Sequence, residues 1–305
     1  MSKLNRIENK LIKLIPLNFR KSIYFRNFIS DMHAHFLSSA EKKILEYMKS
    51  LNVKDTILFT GIPKSGNTWA RFIIFNYFNI LNNNAEKTLT YVELDECQPH
   101  ELQYPKTCFK PYKQGFPVFV RAHYPYSKIF DSFDKIIYIY RNPLDTLISS
   151  YHFFGNRTVP FAHYNVPDTE REKYSDIDYF VLAELPRWIY HYIKTVPKSD
   201  VVLCYEEMKQ DSFEVILDAF KKLEFPIDEN ILKKSIEISS FDSIKKMSEE
   251  TNQSSVIAFN KEAEKKFKGT HTRSGKTKQY LEELDEQTIS KAKQLLKKSD
   301  IPIEI

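Results

Sequence analysis

The chain has 305 residues, 42% hydrophobic and 28% charged, a globular balance that excludes collagen-like, low-complexity and disordered polymers. Three cysteines (Cys97, Cys108, Cys204) show no metal-ligand spacing, which fits reduced thiols in a cytoplasmic compartment and excludes a disulfide scaffold. The formal charge is +5, and no apolar run reaches the roughly 18 residues that a membrane-spanning helix needs.

That charge sits at the amino end. Residues 1–31 carry seven Lys/Arg against two acids, so this stretch alone is +5 and the rest of the chain sums to zero. Lys13, Pro16 and Arg20 break any apolar segment of secretory-signal type. Leu, Ile and Phe are mixed with the charges, which predicts a basic helical extension over residues 1–50, packed on or leading into a domain over residues 51–305. The alternative lays the extension on an anionic surface, as a peripheral contact at the inner membrane face. A basic arm alone does not specify nucleic acid, and no nucleic-acid partner is expected.

Thr56–Thr60 is a short apolar run with β-branched and aromatic residues, the pattern of a buried strand. Gly61-Ile62-Pro63-Lys64-Ser65-Gly66-Asn67-Thr68-Trp69 follows. Gly61, Gly66 and Thr68 keep the spacing of a nucleotide phosphate loop, G-x-x-x-x-G-K-[ST], but Asn67 occupies the lysine position and Lys64 stands three residues earlier. Trp69–Leu81 is apolar nearly all round, as in a buried helix. Strand, turn and helix start together aim backbone N–H groups at one point, so the segment reads as an anion site. The displaced lysine points away from Mg-ATP and toward another phosphorylated nucleotide.

Asn82–Gly115 is polar, weakly periodic and interrupted by prolines, the character of a lid or substrate-binding segment. Strands are predicted at Val118–Ala122 and Lys135–Tyr140, with a helix over Leu144–Phe154. Arg157–Asp178 is a second long polar stretch. A helix over Tyr179–Thr195 contains Pro186, marking a kink or a late start. A fourth strand, Val201–Tyr205, a helix over Ser212–Leu223, a polar stretch from Glu249 to Lys278 and a closing helix over Glu286–Lys298 complete the chain. Strands alternating with helices predict an α/β fold: a single P-loop-type domain with a central parallel β-sheet flanked by helices on both faces.

In such a fold ligands sit at the carboxyl ends of the strands. Arg121-Ala122-His123 lies at the end of the second strand, Arg141-Asn142-Pro143 after the third and Tyr205-Glu206-Glu207 after the fourth. Lys64, His123, Arg141 and Tyr205 would then lie along one edge, with cations at successive strand mouths making a pocket for a multiply charged anion. Each also has an ordinary alternative. His123 is equally a structural histidine, Arg141 a partner for Asp145, and Ser149 part of a helix face. Metal-dependent phosphoryl transfer places an acid after an apolar strand. Here the run Ile136–Tyr140 ends in Arg141, so no metal is expected.

These residues resemble the PAPS-dependent sulfotransferases (PAPS, 3′-phosphoadenosine-5′-phosphosulfate) of the cytosolic type that is also found in bacteria. Pro63-Lys64-Ser65-Gly66-Asn67-Thr68-Trp69 is similar to that family's P-K-S-G-[TN]-T-W. Tyr138-Ile139-Tyr140-Arg141-Asn142-Pro143-Leu144-Asp145, continuing to Ser149-Ser150-Tyr151-His152-Phe153, resembles its 3′-phosphate motif. Arg121-Ala122-His123-Tyr124-Pro125 resembles K-T-H-x-P, with Arg in place of the usual Lys. Weaker likenesses are Val202–Lys209, Ser239-Ser240-Phe241 and Arg273-Ser274-Gly275-Lys276, the last without the tryptophan that often follows.

The resemblance implies roles. His123 would be the general base, Lys64 would meet charge on the leaving oxygen, and Arg121 would assist at the sulfuryl group. Lys64, Ser65, Gly66, Asn67 and Thr68 would hold the 5′-phosphate. Arg141, Ser149 and Arg273 would hold the 3′-phosphate, with Trp69, Tyr205 and Phe241 around the adenine. Ser239, Ser274 and Gly275 belong to the same nucleotide-binding set. The product would be 3′-phosphoadenosine-5′-phosphate (PAP). The acceptor, a hydroxyl or amine of a small alcohol or phenol, a glycan or a glycolipid, would be chosen by the long loops. Their aromatics include Tyr91, Tyr104, Tyr112, Phe116, Phe161 and Tyr164. No dimer motif is recognisable near the carboxyl end. The alternative reading is a P-loop kinase or NTPase acting on Mg-ATP.

Overall fold

The computed structural model describes residues 23–51, 55–83, 88–91, 93–94, 117–155, 164, 166, 170–250 and 274–305. Its centre is a parallel sheet of β1 (Thr56–Thr60), β2 (Val118–Ala122), β3 (Lys135–Tyr140) and β4 (Val201–Cys204) in the order β2-β1-β3-β4. Every residue of β1 is buried, as a parallel strand covered on both faces requires.

Alternation along the strands sorts the core into two faces. Ile57, Phe59, Phe119, Ile137, Ile139 and Leu203 face one cluster. It is filled by α3 (Asn67–Asn83), α7 (Ser212–Leu223) and α8 (Glu229–Ile238). Leu58, Val118, Val120 and Ile136 face the other side, against Ile44 and Met48 of α2 (Ser39–Leu51). On that side Tyr138 stacks on His191, 5.5 Å between centroids. His191 belongs to α5 (Ile177–Thr195), which packs with α4 (Pro143–Gly155) and α11 (Glu286–Lys298). Helix α1 (Ile23–His35) lies on α5, tied by Tyr190 Oη donating to Asp31 at 2.8 Å.

Caps fix several helix ends. Asp176 caps α5 by accepting from Tyr179 N–H at 2.8 Å, and the helix begins at Ile177, two residues before the predicted start. Pro186 lies inside that helix, so it does not mark a late start; Phe180, Val181, Leu185 and Trp188 around it are all buried. The fourth strand is one residue shorter than predicted. Tyr205 opens α6 (Tyr205–Gln210), where Glu206 and Glu207 in the first turn complement the helix dipole. The predicted polar stretch Glu249–Lys278 is entered by α9 (Phe241–Glu250) and followed by a short α10 (Tyr280–Glu283), with residues 251–273 outside the described set.

The chain steps from β1 outward to β2, then crosses back over β1 to form β3. This reversal opens a crevice at the carboxyl end of β1, where the phosphate loop begins.

Candidate active site

The loop from Gly61 to Gly66 is curled by two residues at positive φ, Lys64 at 75° and Gly66 at 94°. Gly66 is required there twice over: its φ disfavours any side chain, and a Cβ would stand 2.6 Å from the Tyr205 ring. Gly61 is also constrained, because a Cβ would meet the Ile139 carbonyl oxygen at 2.4 Å. Asn67, in the usual lysine position, donates its side-chain amide to the Ile62 carbonyl at 2.9 Å and closes the loop on itself. Ser65 is buried at 1% exposure and its hydroxyl has no hydrogen-bond partner. A buried orphan hydroxyl at the mouth of α3, with no acid in that helix's first turn, fits a phosphate oxygen. Lys64 Nζ lies 4.2 Å from the Phe153 ring centroid, a cation–π contact that holds the ammonium toward α4.

His123 follows β2 directly. Its Nδ1 lies 2.8 Å from the Gly61 carbonyl. A carbonyl only accepts, so Nδ1 carries the proton and the basic lone pair is on Nε2. Arg121 is half-buried, two residues earlier and paired in register with Phe59.

The nucleotide side of the crevice is built around Arg141. The guanidinium lies 4.8 Å from the Tyr205 ring centroid and 3.6 Å from Asp145, and it donates to the Lys276 carbonyl at 2.6 Å. Asp145 is fully buried. It accepts Lys278 N–H at 2.7 Å and Tyr280 N–H at 3.3 Å. Burial raises its pKa against the opposing pull of Arg141 and these amides. Tyr205 Oη donates to the Gly275 carbonyl at 2.9 Å, and burial raises this phenol's pKa as well. Gly275, at φ 62°, lies flat against Phe241, where a Cβ would come within 2.6 Å of the ring. Trp69 meets Tyr205 edge to face at 5.5 Å. Tyr205 and Phe241 thus converge on one backbone segment, residues 274–280, held down by Arg141, Asp145 and Tyr205, with Trp69 against Tyr205.

Beside His123 lies a narrow cleft. Ile62 and Pro63 from the phosphate loop, Leu147 from α4, Tyr164 and Trp188 supply its apolar walls. Its polar groups are His123, Glu184 and Arg187.

A sulfotransferase domain profile matches residues 54–299. The chain belongs to the sulfotransferase family. Among relatives, a rabbit amine sulfotransferase is 29% identical over 241 residues, covering 75% of this chain and 72% of its own. A firefly (Photinus pyralis) luciferin sulfotransferase is 23% identical over 288 residues, 83% and 74% of the two chains. Retinol dehydratase, solved with androsterone and PAP, superposes with a TM-score of 0.61 at 15% identity, covering 87% of each chain. A mouse sulfotransferase solved with PAP gives 0.58 at 17% identity, over 87% and 91%. The chain is therefore a sulfotransferase rather than a P-loop kinase.

In this sulfotransferase most residues singled out from the sequence come together. Lys64, Ser65, Gly66, Asn67, Thr68 and Trp69 form the loop and the first turn of α3. Arg141 stands two residues before α4, and Ser149 lies in the middle of that helix, half-buried. Ser239, at the end of α8, is buried, and its hydroxyl accepts from Asn76 at 2.9 Å. The Ser274 hydroxyl bonds Gln279 at 2.7 Å. Arg273 lies outside the described residues, as do Tyr104, Tyr112, Phe116 and Phe161. Tyr91 is core, edge-on to Phe72 at 5.2 Å.

Sequence reasoning missed three features. Asp145 anchors residues 278–280 as well as Arg141. The Gly61 carbonyl sets the tautomer of His123. Glu184 and Arg187 enter the cleft from α5. A buried acid in an apolar helix was the one available signal for the last.

Proposed function

We propose that this sulfotransferase moves a sulfuryl group from PAPS to a hydroxyl or amine of a small acceptor seated in the cleft, with His123 as general base. The observation that carries the reading is the Nδ1–H bond from His123 to the Gly61 carbonyl. It joins the base to the first residue of the phosphate loop and leaves Nε2 as the proton acceptor beside the cleft.

The donor supplies an activated sulfuryl group, and PAP departs when the acceptor takes it. His123 Nε2 accepts the acceptor's proton as its oxygen or nitrogen attacks, a role worth about 10²–10⁴-fold. Lys64 places positive charge where the leaving oxygen becomes negative, and Arg121 adds charge at the sulfuryl oxygens. Backbone N–H groups of Gly66–Thr68 and the orphan Ser65 hydroxyl hold the 5′-phosphate, the Ser65 N–H being bonded to the Ile62 carbonyl at 3.3 Å. Arg141 retains unused donors, its Nε buried without a partner, and with Ser149 and Arg273 it holds the 3′-phosphate. Trp69, Tyr205 and Phe241 pack on the base, with Ser239, Ser274 and Gly275 at its border. Positioning and charge do most of the work, as in phosphoryl transfer. The apolar walls of Leu147, Tyr164 and Trp188 suit a small aromatic acceptor better than a glycan chain.

His123→Ala should lower turnover at least about 10²-fold while PAP affinity, read by calorimetry, stays near wild type. Retained turnover removes His123 from the base role. Arg141→Ala should weaken PAP binding first.

A second reading concerns the amino end. Tyr24, Phe28 and Phe36 are exposed at 77%, 56% and 66% on or beside α1, next to the +5 stretch. Basic charge with exposed aromatics suits peripheral binding to an anionic bilayer. Sedimentation with phosphatidylserine vesicles should carry the protein down at low salt. A protein left in the supernatant rejects this reading.

A further inference from the structure

Glu184 is an unusual group for a cleft of this kind. It sits in the middle of α5 at 0% exposure, among residues that are otherwise largely apolar. One carboxyl oxygen, Oε1, is well served: it accepts from Tyr174 Oη at 2.8 Å and from Arg26 Nη2 at 3.2 Å. The other, Oε2, is buried and receives no hydrogen bond, with Arg187 Nη1 at 3.7 Å. A buried carboxyl oxygen without a donor is costly, and native structures keep such groups mainly where a ligand or water completes them. Glu184 lines the same cleft as His123.

Charge narrows the class of donor. Arg26 and Arg187 already face this carboxyl, and Arg187 also lies 5.3 Å from the Tyr164 ring centroid. A third cation would meet two guanidiniums for one acid, so an ammonium is disfavoured and a neutral hydroxyl is favoured. The walls narrow the frame. Tyr164, Trp188 and Leu147 give the cleft aromatic and aliphatic sides for a flat, apolar body to pack on.

We propose that Glu184 Oε2 is the acceptor-recognition group, taking a hydrogen bond from a second hydroxyl on an aromatic acceptor whose first hydroxyl is sulfated at His123. This rests on the sulfuryl-transfer reading above. The preferred substrates are then neutral dihydroxy compounds, such as a phenol with a hydroxyl-bearing arm. Arg26 and Tyr174 act as positioning residues that hold the carboxyl in place, which gives the first described helix a part in acceptor selection.

The test compares the 3- and 4-isomers of methylphenol, (hydroxymethyl)phenol and (2-aminoethyl)phenol, by transfer from PAPS and by calorimetric binding to the enzyme–PAP complex. The better (hydroxymethyl)phenol isomer should exceed its methyl analogue at least about tenfold in kcat/KM, because losing a partner for a buried polar group is heavily penalised. In Glu184→Gln, whose amide puts a donor where Oε2 was, that ratio should fall to near one, with PAP affinity as the control for folding. Equal use of the methyl and hydroxymethyl compounds by the wild type overturns the proposal, whether or not the variant folds. Preference for the aminoethyl compound overturns it in favour of an ammonium site. Binding of no phenol with PAP affinity intact overturns the proposal. Absence of PAP binding rejects the underlying reading instead.

Discussion

Gly66 carries more of the site than its size suggests. Its backbone at φ 94° turns the loop so that the following N–H groups start α3, and the space a Cβ would need is already filled by the Tyr205 ring. Gly66→Ala therefore combines an unfavourable φ with a backbone-to-ring clash. PAP affinity should drop about tenfold or more, since a shift of 1 Å misaligns several N–H donors together, while the melting temperature changes modestly because the core beneath α3 is untouched. Calorimetry beside a thermal melt checks this, and wild-type affinity in the variant would contradict it. Gly66 was readable from the sequence because the loop presents consecutive residues to one anion, and consecutive residues leave a motif. Glu184 was not, because its meaning comes from Arg26, 158 positions away, and from Tyr174 across a turn.

The segment from Ser274 to the start of α10 shows how a stretch of largely irregular backbone is held. Arg141 takes the Lys276 carbonyl, Tyr205 the Gly275 carbonyl and Asp145 the amides of Lys278 and Tyr280. Asp145 is the hub, because it also lies 3.6 Å from Arg141. Asp145→Asn keeps the volume and removes the charge. It should cost about 1–3 kcal/mol, the worth of charge-assisted bonds in a buried place, and it should raise hydrogen exchange at 278–280 selectively. Unchanged exchange there would show that the segment is held elsewhere. It should also raise KM for PAPS by freeing Arg141, measured at saturating acceptor. The strands and their helices were legible as elements because burial on both faces gives apolar runs of β-branched and aromatic residues. The segment was legible only as a weak Arg273-Ser274-Gly275 likeness, since its bonds use backbone groups that leave no side-chain signature.

At the scale of the whole molecule, one buried histidine sets a limit on acid stability. His191 lies under the sheet with Tyr138, whose hydroxyl is 3.2 Å from His191 Nδ1, and its Nε2 has no hydrogen-bond partner. Burial, aided by Arg187 and His123, lowers its pKa from 6.5 to about 3. The unfolded chain binds a proton here below pH 6.5, and the folded chain refuses it until about pH 3. Stability from this site is therefore complete above 6.5 and is lost as pH falls toward 3, at about 1.4 kcal/mol per unit. Between pH 6.5 and 5 the loss is about 2 kcal/mol, a large share of a typical domain's margin. His191→Gln removes the titration and still offers Tyr138 a partner. Urea unfolding at pH 7.5 and pH 5.0 should show a smaller drop for the variant than for the wild type, by about 2 kcal/mol. The sign is fixed by the neutral buried state: equal drops would mean that His191 is protonated in the fold, and with it that the helix carrying Glu184, Arg187 and Trp188 is open to water beneath the cleft.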